Sequence, residues 1–306
     1  MNVLYLTDNR DNYTQGNYYV DWLNAFKKRF PKMVVYGPGY DTTLDEIPSK
    51  VDFIVYGHAF MELYLQKKFY FFSSKKFYGL DLSRYKDAKS IMFSKNEYKL
   101  MNERIEFLKM RKNSLLVCYT KQTLDKYKSF FPNIHWAPFG IDKDRFYDKG
   151  FERDISIGMR GNRHGSYIGQ LRENTANKLI QISKDISHDI KLSDNGEDFL
   201  FGDEYINWLN RCMFIGNTKS AMDIVNPKFA ETIACGAIPV CPVDFYEGLL
   251  EKDKHYVDIE EFKICKNIEE LNSFYNEKRI IFDTHKEDYI NKFSYENMLD
   301  DILKRL

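Results

Sequence analysis

Between Thr218 and Pro242 the chain reads TKSAMDIVNPKFAETIACGAIPVCP, and this stretch holds the residue types an anion-binding site needs. Lys228 and Glu231 are three apart and so share one helical face, while Phe229 and Ile233, four apart, share another. The apolar pair is expected to pack on a sheet, which turns the lysine, the glutamate and the helix N-terminus toward a cleft. A helix N-terminus with a cation beside it attracts phosphate-like ligands. A second set lies earlier, Arg160-Gly161-Asn162-Arg163-His164-Gly165. Glycines let backbone amides approach phosphate oxygens, and arginine binds them in bidentate fashion. The spacing matches neither a Walker loop nor a dinucleotide fingerprint. Each set also has a plainer reading: Lys228 and Glu231 as a surface pair worth a few tenths of a kcal/mol, Arg160 and Arg163 as solvated loop charges. The surface pair leaves Pro227, Cys235-Gly236 and the following apolar run unexplained.

The elements that would position these residues follow from punctuation and periodicity. Asn226 suits an N-cap and Pro227 the first helical position, since proline lacks an N–H that would be orphaned there. Cys235 would end the helix, with Gly236 taking the left-handed position after it. Ala237–Cys241 then reads as a strand buried on both faces of a parallel sheet. Strands are expected at Val3–Thr7, Met33–Tyr36, Asp52–Tyr56, Ser90–Phe93, Leu115–Tyr119, Asp154–Met159, Ile190–Leu192, Met213–Gly216 and Tyr256–Ile259. Helices are expected at Tyr18–Phe30, Asn96–Arg111, Tyr205–Arg211, Glu269–Tyr275 and Lys286–Leu306. This alternation argues for α/β architecture with parallel sheets and with ligand loops at the carboxyl ends of strands. His58 stands at one such end and is a candidate catalytic residue; an isolated histidine is more often structural. Gly16 and Asn17 could form an acceptor-side loop or an ordinary turn. Asp194–Asp203 is an acidic loop where a nucleotide base could lie.

Composition sets the outer limits. The chain has 306 residues, 43% hydrophobic and 29% charged, enough for two cores. Lys+Arg and Asp+Glu are equal at 45 each, so no overall field favours nucleic acid. The five cysteines show no C-x-x-C and no metal-ligand spacing, as expected of reduced, buried thiols in a cytoplasmic protein. No basic n-region opens the chain and no apolar run approaches a spanning helix. Lys67–Gly79, KKFYFFSSKKFYG, interleaves lysine pairs with aromatics. It reads first as core-filling aromatics beside a loop, and second as a peripheral membrane contact; stacking on single-stranded nucleic acid is a third reading.

The central stretch resembles the donor-binding signature of nucleotide-sugar glycosyltransferases of the two-Rossmann (GT-B) type. Asp223 and Glu231, eight apart, precede Ala234-Cys235-Gly236 and a hydrophobic strand, as in the large retaining family. The segment around Lys228-Phe229-Ala230-Glu231 is similar to that of the spore-maturation (CgeB-like) branch, with one small residue inserted and Asp223 in place of the commoner glutamate. Asn133–Phe146 resembles the family's interdomain hinge through Pro138, Gly140, Ile141, Asp142 and Phe146. The resemblance implies two Rossmann-like doubly wound domains facing across a cleft: an acceptor-side domain over 1–142, a donor domain over 143–285, and a helix over 286–306 crossing back to the first. It implies that Asp223 contacts the donor sugar, that Glu231 holds the ribose diol, and that Lys228, Arg160, Gly161, Arg163, Arg172 and Phe229 complete the donor site. No D-x-D is read near a strand end, which agrees with metal-independent transfer and no cofactor beyond the nucleotide-sugar donor; retention of configuration rests on the resemblance alone. The acceptor would be a glycan, a lipid-linked group or a protein. Two other readings stand beside this one. A phage-type DNA-base glycosyltransferase is disfavoured by the zero net charge, and a non-catalytic GT-B-like scaffold would bind no nucleotide. A nicotinamide oxidoreductase fits least, because no G-x-G-x-x-G follows the first strand.

Overall fold

The computed structural model describes residues 1–9, 17–65, 77, 79–94, 97, 99–163, 167–184, 186–220, 223–265 and 267–306. Gly16, nearly all of the Lys67–Gly79 stretch, Asn96 and the His164-Gly165 end of the arginine-rich loop lie outside the described residues. The chain divides into two compact units, Met1–Asp11 with Tyr19–Pro138 and Tyr295–Leu306, and Asn12–Tyr18 with Phe139–Ser294.

The first unit is built from β1 (Val3–Leu6), α1 (Tyr18–Arg29), β2 (Val34–Tyr36), β3 (Phe53–Tyr56), α2 (Phe60–Leu65), β4 (Lys89–Phe93), α3 (Met101–Lys109), β5 (Ser114–Cys118), α4 (Lys121–Tyr127) and β6 (Ile134–Trp136). Its six strands form one sheet in the order β2-β1-β3-β4-β5-β6. All neighbours are parallel, with Leu4 level with Val34 on one side and Ile54 on the other. Runs such as VLYL and FIVY are buried along their whole length, as a sheet covered on both faces requires. The order reverses between β1 and β3. There Gly57 donates to Leu6 O at 2.8 Å. A Cβ on Gly57 would lie 2.8 Å from the Thr7 side chain, so only glycine permits this approach. One charged pair is sunk in this unit: the buried Arg104 guanidinium holds Glu62 Oε1 at 3.1 Å and donates to Lys99 O at 2.5 Å.

The second unit comprises β7 (Ile155–Asn162), α5 (Tyr167–Ile182), β8 (His188–Ser193), α6 (Gly202–Arg211), β9 (Cys212–Gly216), α7 (Lys228–Ala234), β10 (Ile238–Cys241), β11 (Val257–Asp258) and α8 (Ile268–Phe293). Its sheet runs β11-β10-β9-β7-β8, again all parallel. From β7 the chain winds outward through α5 to β8, and from β9 it winds the other way through α7 to β10. The switch point therefore lies between the carboxyl ends of β7 and β9, where open α/β sheets bind ligands. Both sheets are thus doubly wound, the α/β class expected.

The helices near the C-terminus differ from expectation. One 26-residue helix, α8, replaces the expected Glu269–Tyr275 segment and takes in residues 276–293. The chain breaks at Ser294, with ψ 141°, and resumes as α9 (Tyr295–Lys304). Neither proline nor glycine marks this break. Ser294 is fully buried and pairs with Ile141, whose N–H donates to Phe293 O at 3.0 Å, so a partner distant in sequence ends the helix. α9 packs within the first unit, with the Tyr295 ring 4.7 Å from Trp22 and Lys28 Nζ 2.7 Å from Glu296. No described helix is long and apolar enough to cross a membrane. All five cysteines are buried, and burial pushes the Cys212, Cys235 and Cys241 thiols up, which leaves them unreactive.

Candidate functional site

The residues singled out in the second unit gather around the switch point. Pro227 takes the N-cap position expected of Asn226, which braces the helix start from one residue earlier: its Oδ1 accepts from Lys228 N at 3.0 Å, and its Nδ2 donates to Thr218 O at 2.6 Å. The helix itself begins at Lys228, one residue after the expected Pro227, and closes through Gly236 at φ +76°. Being seven residues long, it carries little macrodipole. Its first donors are already used, since Phe229 N also bonds to Asn226 O at 3.3 Å. Attraction for an anion must come from side chains here, rather than from the helix end that the sequence suggested.

β7 is longer than expected. Arg160, Gly161 and Asn162 belong to the strand, level with Lys191, Leu192 and Ser193 of β8. The Arg160 guanidinium is committed inside the unit: Nε donates to Asp189 Oδ2 at 3.1 Å and Nη1 to Asp198 O at 2.7 Å, with the Trp208 ring 5.6 Å away. Trp208 Nε1 shares the same Asp189 oxygen at 2.9 Å. Arg160 contributes its backbone to the site, because its carbonyl accepts from Lys228 Nζ. Arg172, half-buried on α5, donates to the neighbouring Asn162 O at 3.1 Å. Two cations therefore cover the carboxyl end of β7. Gly161 faces Arg172 Cδ and Leu192 at an ordinary contact distance for an added Cβ, 3.7 Å. Arg163 is exposed and its N–H continues the strand pairing to Ser193 O at 2.8 Å.

Electrostatics mark the lysine. Burial, reinforced by the Arg172 guanidinium and by Arg160, pushes the Lys228 amine down to about 8, with Glu231 opposing. No ion pair joins Lys228 to Glu231 among the described residues; the lysine reaches for Arg160 O instead. Glu231 is 2% exposed. Burial raises its carboxyl, against a hydrogen bond from Tyr205 and the charges of Lys228 and Arg145. Its Oε2 accepts from Tyr205 OH at 2.8 Å, while Oε1 is enclosed with no partner among the described residues. Asn217, at the end of β9, donates to Thr232 Oγ1 at 3.3 Å and leaves its own Oδ1 enclosed in the same way. Buried acceptors left open in this manner suit a ligand that brings hydroxyl donors.

The remaining predicted residues lie apart from this cluster. Phe229 is a core residue, its ring 5.5 Å from Tyr246. Asp223 is exposed at φ +57°, next to Ile224, whose carbonyl accepts from Ser220 N at 2.8 Å. His58 lies in the first unit, boxed by Tyr19, Phe93 and Tyr119 at ring separations of 4.7, 5.1 and 5.6 Å, and it bonds to the Tyr119 hydroxyl. A D-x-D does occur, at Asp142-Lys143-Asp144 beyond β6; Asp142 Oδ1 accepts from Asp144 N at 3.1 Å, which is turn geometry. Sequence reasoning missed Tyr205, Arg145 and Asn217. An aromatic on an amphipathic helix reads as core, and nothing local ties Tyr205 to a carboxylate on another element.

No protein-family model matches the sequence, and no curated protein matches it either. Solved structures do match the fold. The Anabaena protein HepE, solved in complex with UDP-glucose, is similar over 100% of both chains, with a TM-score of 0.64 and 12% identity. A glycosyltransferase from Rickettsia africae matches over 99% of this chain and 97% of its own, with a TM-score of 0.62 and 13% identity. The pneumococcal O-GlcNAc transferase GtfA, solved with UDP and GlcNAc, matches 82% of this chain and 56% of its own at a TM-score of 0.50 and 10% identity. At such identities the likeness is one of fold, the two-Rossmann GT-B architecture.

Proposed function

We propose that the chain is a glycosyltransferase that moves a sugar from a nucleoside-diphosphate donor, UDP-linked in the first instance, to a saccharide, lipid-linked or protein acceptor. The observation that carries this reading is the cation pair Lys228 and Arg172 at the carboxyl end of β7, next to a buried carboxylate with an open acceptor oxygen. Two like charges held close together favour an anionic ligand, and a diphosphate supplies one. The fold likeness to proteins solved with UDP supports the choice of base. In this reading Lys228 and Arg172 take the diphosphate, with Arg163 at the rim, and offset the charge that builds on the leaving group without a metal. Glu231 accepts a ribose hydroxyl, Asp223 meets the sugar, and transfer proceeds with retention. Residues 143–285 form the donor side and 1–142 the acceptor side, where His58 would serve, with 286–306 returning to the first domain.

A thermal-shift panel of UDP, GDP, ADP and TDP on wild type and Glu231→Ala tests this reading. A nucleotide at a hundred times its dissociation constant adds about 2.7 kcal/mol of stability. UDP should stabilise the wild type, with or without EDTA, and the variant should lose most of the shift. If no nucleotide stabilises the wild type, the scaffold reading replaces this one.

The lysine also sets a pH dependence. Its amine is charged below about 8, and a bound anion favours the charged form, so binding above that value must be accompanied by proton uptake. UDP affinity should be level from pH 7 to 8 and then fall by up to about tenfold per pH unit, as one linked proton requires. Lys228→Arg, charged throughout, should flatten the alkaline limb in calorimetric titrations.

A further inference from the structure

Glu231 is held on one side only. Tyr205, fully buried on α6, stacks near Trp208 at 6.1 Å and sends its hydroxyl 2.8 Å to Oε2, the one hydrogen bond to this carboxylate among the described residues. The phenol has no second role in view: its ring fills the core, and phenylalanine would fill the same space. A carboxylate kept for structure alone would have both oxygens satisfied, because an enclosed acceptor without a donor costs stability. The asymmetry, one oxygen fastened and one open, belongs to a group waiting for a partner.

We propose that Tyr205 is a positioning residue for nucleotide binding: its hydroxyl fastens one oxygen of Glu231 against α6 and thereby presents the other to a hydroxyl of the nucleotide's ribose. The inference rests on the reading of the chain as a nucleotide-sugar enzyme and names the residue that makes its carboxylate competent. Oε1 is the oxygen left for that ribose hydroxyl, enclosed and with no partner among the described residues.

The hydrogen bond also bears on the protonation state, because it opposes burial, the larger influence, which raises the carboxyl. A donor to a carboxylate favours the ionised form, in which both oxygens act as acceptors only; protonation turns one of them into a donor and weakens the other as an acceptor. The charged and titratable groups acting on Glu231 are Tyr205 from α6, Lys228 on α7 itself, Cys235 just after it, and Arg145 ahead of β7. The Lys228 amine titrates near 8, and burial moves Tyr205 and Cys235 upward, away from the acid range. Removing the phenol hydroxyl leaves the carboxyl to burial, which raises it further. Proton uptake then begins at higher pH, and affinity is lost sooner on acidification.

The experiment is calorimetric titration of UDP from pH 5 to 8 on wild type, Tyr205→Phe, Glu231→Gln and the double variant, with unfolding midpoints as controls. Tyr205→Phe should move the acid limb of affinity upward by about one pH unit, the size of effect a single hydrogen bond to a carboxylate has. Glu231→Gln should bind weakly at every pH and keep only the acid limb that protonation of UDP's own terminal phosphate at about pH 6 contributes, and Tyr205→Phe should add nothing to it. A Tyr205→Phe profile superimposable on wild type, or an equal loss in the Glu231→Gln background, overturns the proposal. Failure of the wild type to bind UDP at any pH overturns the nucleotide reading itself, and is distinguishable because it appears before any variant is compared.

Discussion

Lys228→Met should weaken UDP binding about 10- to 100-fold at pH 7, the worth of a hydrogen bond to a charged group, and leave the unfolding midpoint unchanged or slightly raised. The two halves of that expectation separate ligand chemistry from architecture. Methionine keeps the length and apolar stem of lysine, so the packing beside α7 survives. It removes the bond to Arg160 O, which costs stability, and it also removes a charge that burial and Arg172 already disfavour. These terms oppose each other. A purely structural lysine would show the reverse pattern, a lower midpoint with UDP affinity intact, and that result would sink the diphosphate role. If charge also builds on the leaving diphosphate, turnover of a donor nucleotide sugar should fall more than ground-state affinity does. Loss of one preorganised donor typically costs about 10²- to 10³-fold in turnover. The alkaline limb of UDP affinity should vanish in the same variant, because the group that titrates near 8 is gone.

What the sequence made legible was whatever depended on near neighbours. The buried strands announced themselves as short apolar runs, and the stretch from Asn226 to Gly236 carried its own start and stop signals, which the structure uses. Lys228 and Glu231 were visible because a three-residue spacing puts them on one side of a helix. What they do depends on distant partners. Lys228 turns to a carbonyl 68 residues earlier, and Glu231 is fastened by a phenol 26 residues earlier, so the surface pair of the plainer reading does not form. Arg160 reads as a loop residue, since cation and glycine alternate there. Pairing with β8 and an aspartate 29 residues away extend the strand through it and use up its guanidinium. His58 sits at a strand end as expected, yet three rings from α1, β4 and the residue after β5 enclose it. Local patterns reveal elements, whereas commitments of charge are decided by tertiary contacts.

Gly236→Ala should destabilise the protein by about 3 kcal/mol or more, the combined scale of a left-handed alanine and a disturbed, largely buried ion pair. Gly236 has φ +76°, and a Cβ added there would lie 2.2 Å from Asp148 Oδ2 and 2.7 Å from Arg153 Nη2. Neither neighbour is free to retreat. Burial pushes the Asp148 carboxyl up, but hydrogen bonds from Arg279 and Gly150 N–H and the Arg153 charge outweigh it and hold the group low. Arg153 in turn donates to Cys212 O at 2.6 Å and Cys235 O at 2.9 Å, and Arg279 reaches Gly236 O and, at 2.9 Å, Asp148. This network ties the end of α7 to the chain entering β7, to the start of β9 and to α8, so a shift of Asp148 disturbs several attachments at once. For a chain of 306 residues, with an unfolding entropy of roughly 2.1 cal/mol/K per residue, 3 kcal/mol lowers the thermal midpoint by roughly 5 °C. Gly236→Asn divides the two causes, because asparagine tolerates the left-handed conformation but still carries a Cβ. Equal losses in both variants would assign the effect to the collision with Asp148 and Arg153, and a much milder asparagine would assign it to backbone strain. An alanine variant within 1 kcal/mol of wild type would show that the network yields. The position of Lys228 at the other end of α7 would then owe nothing to it.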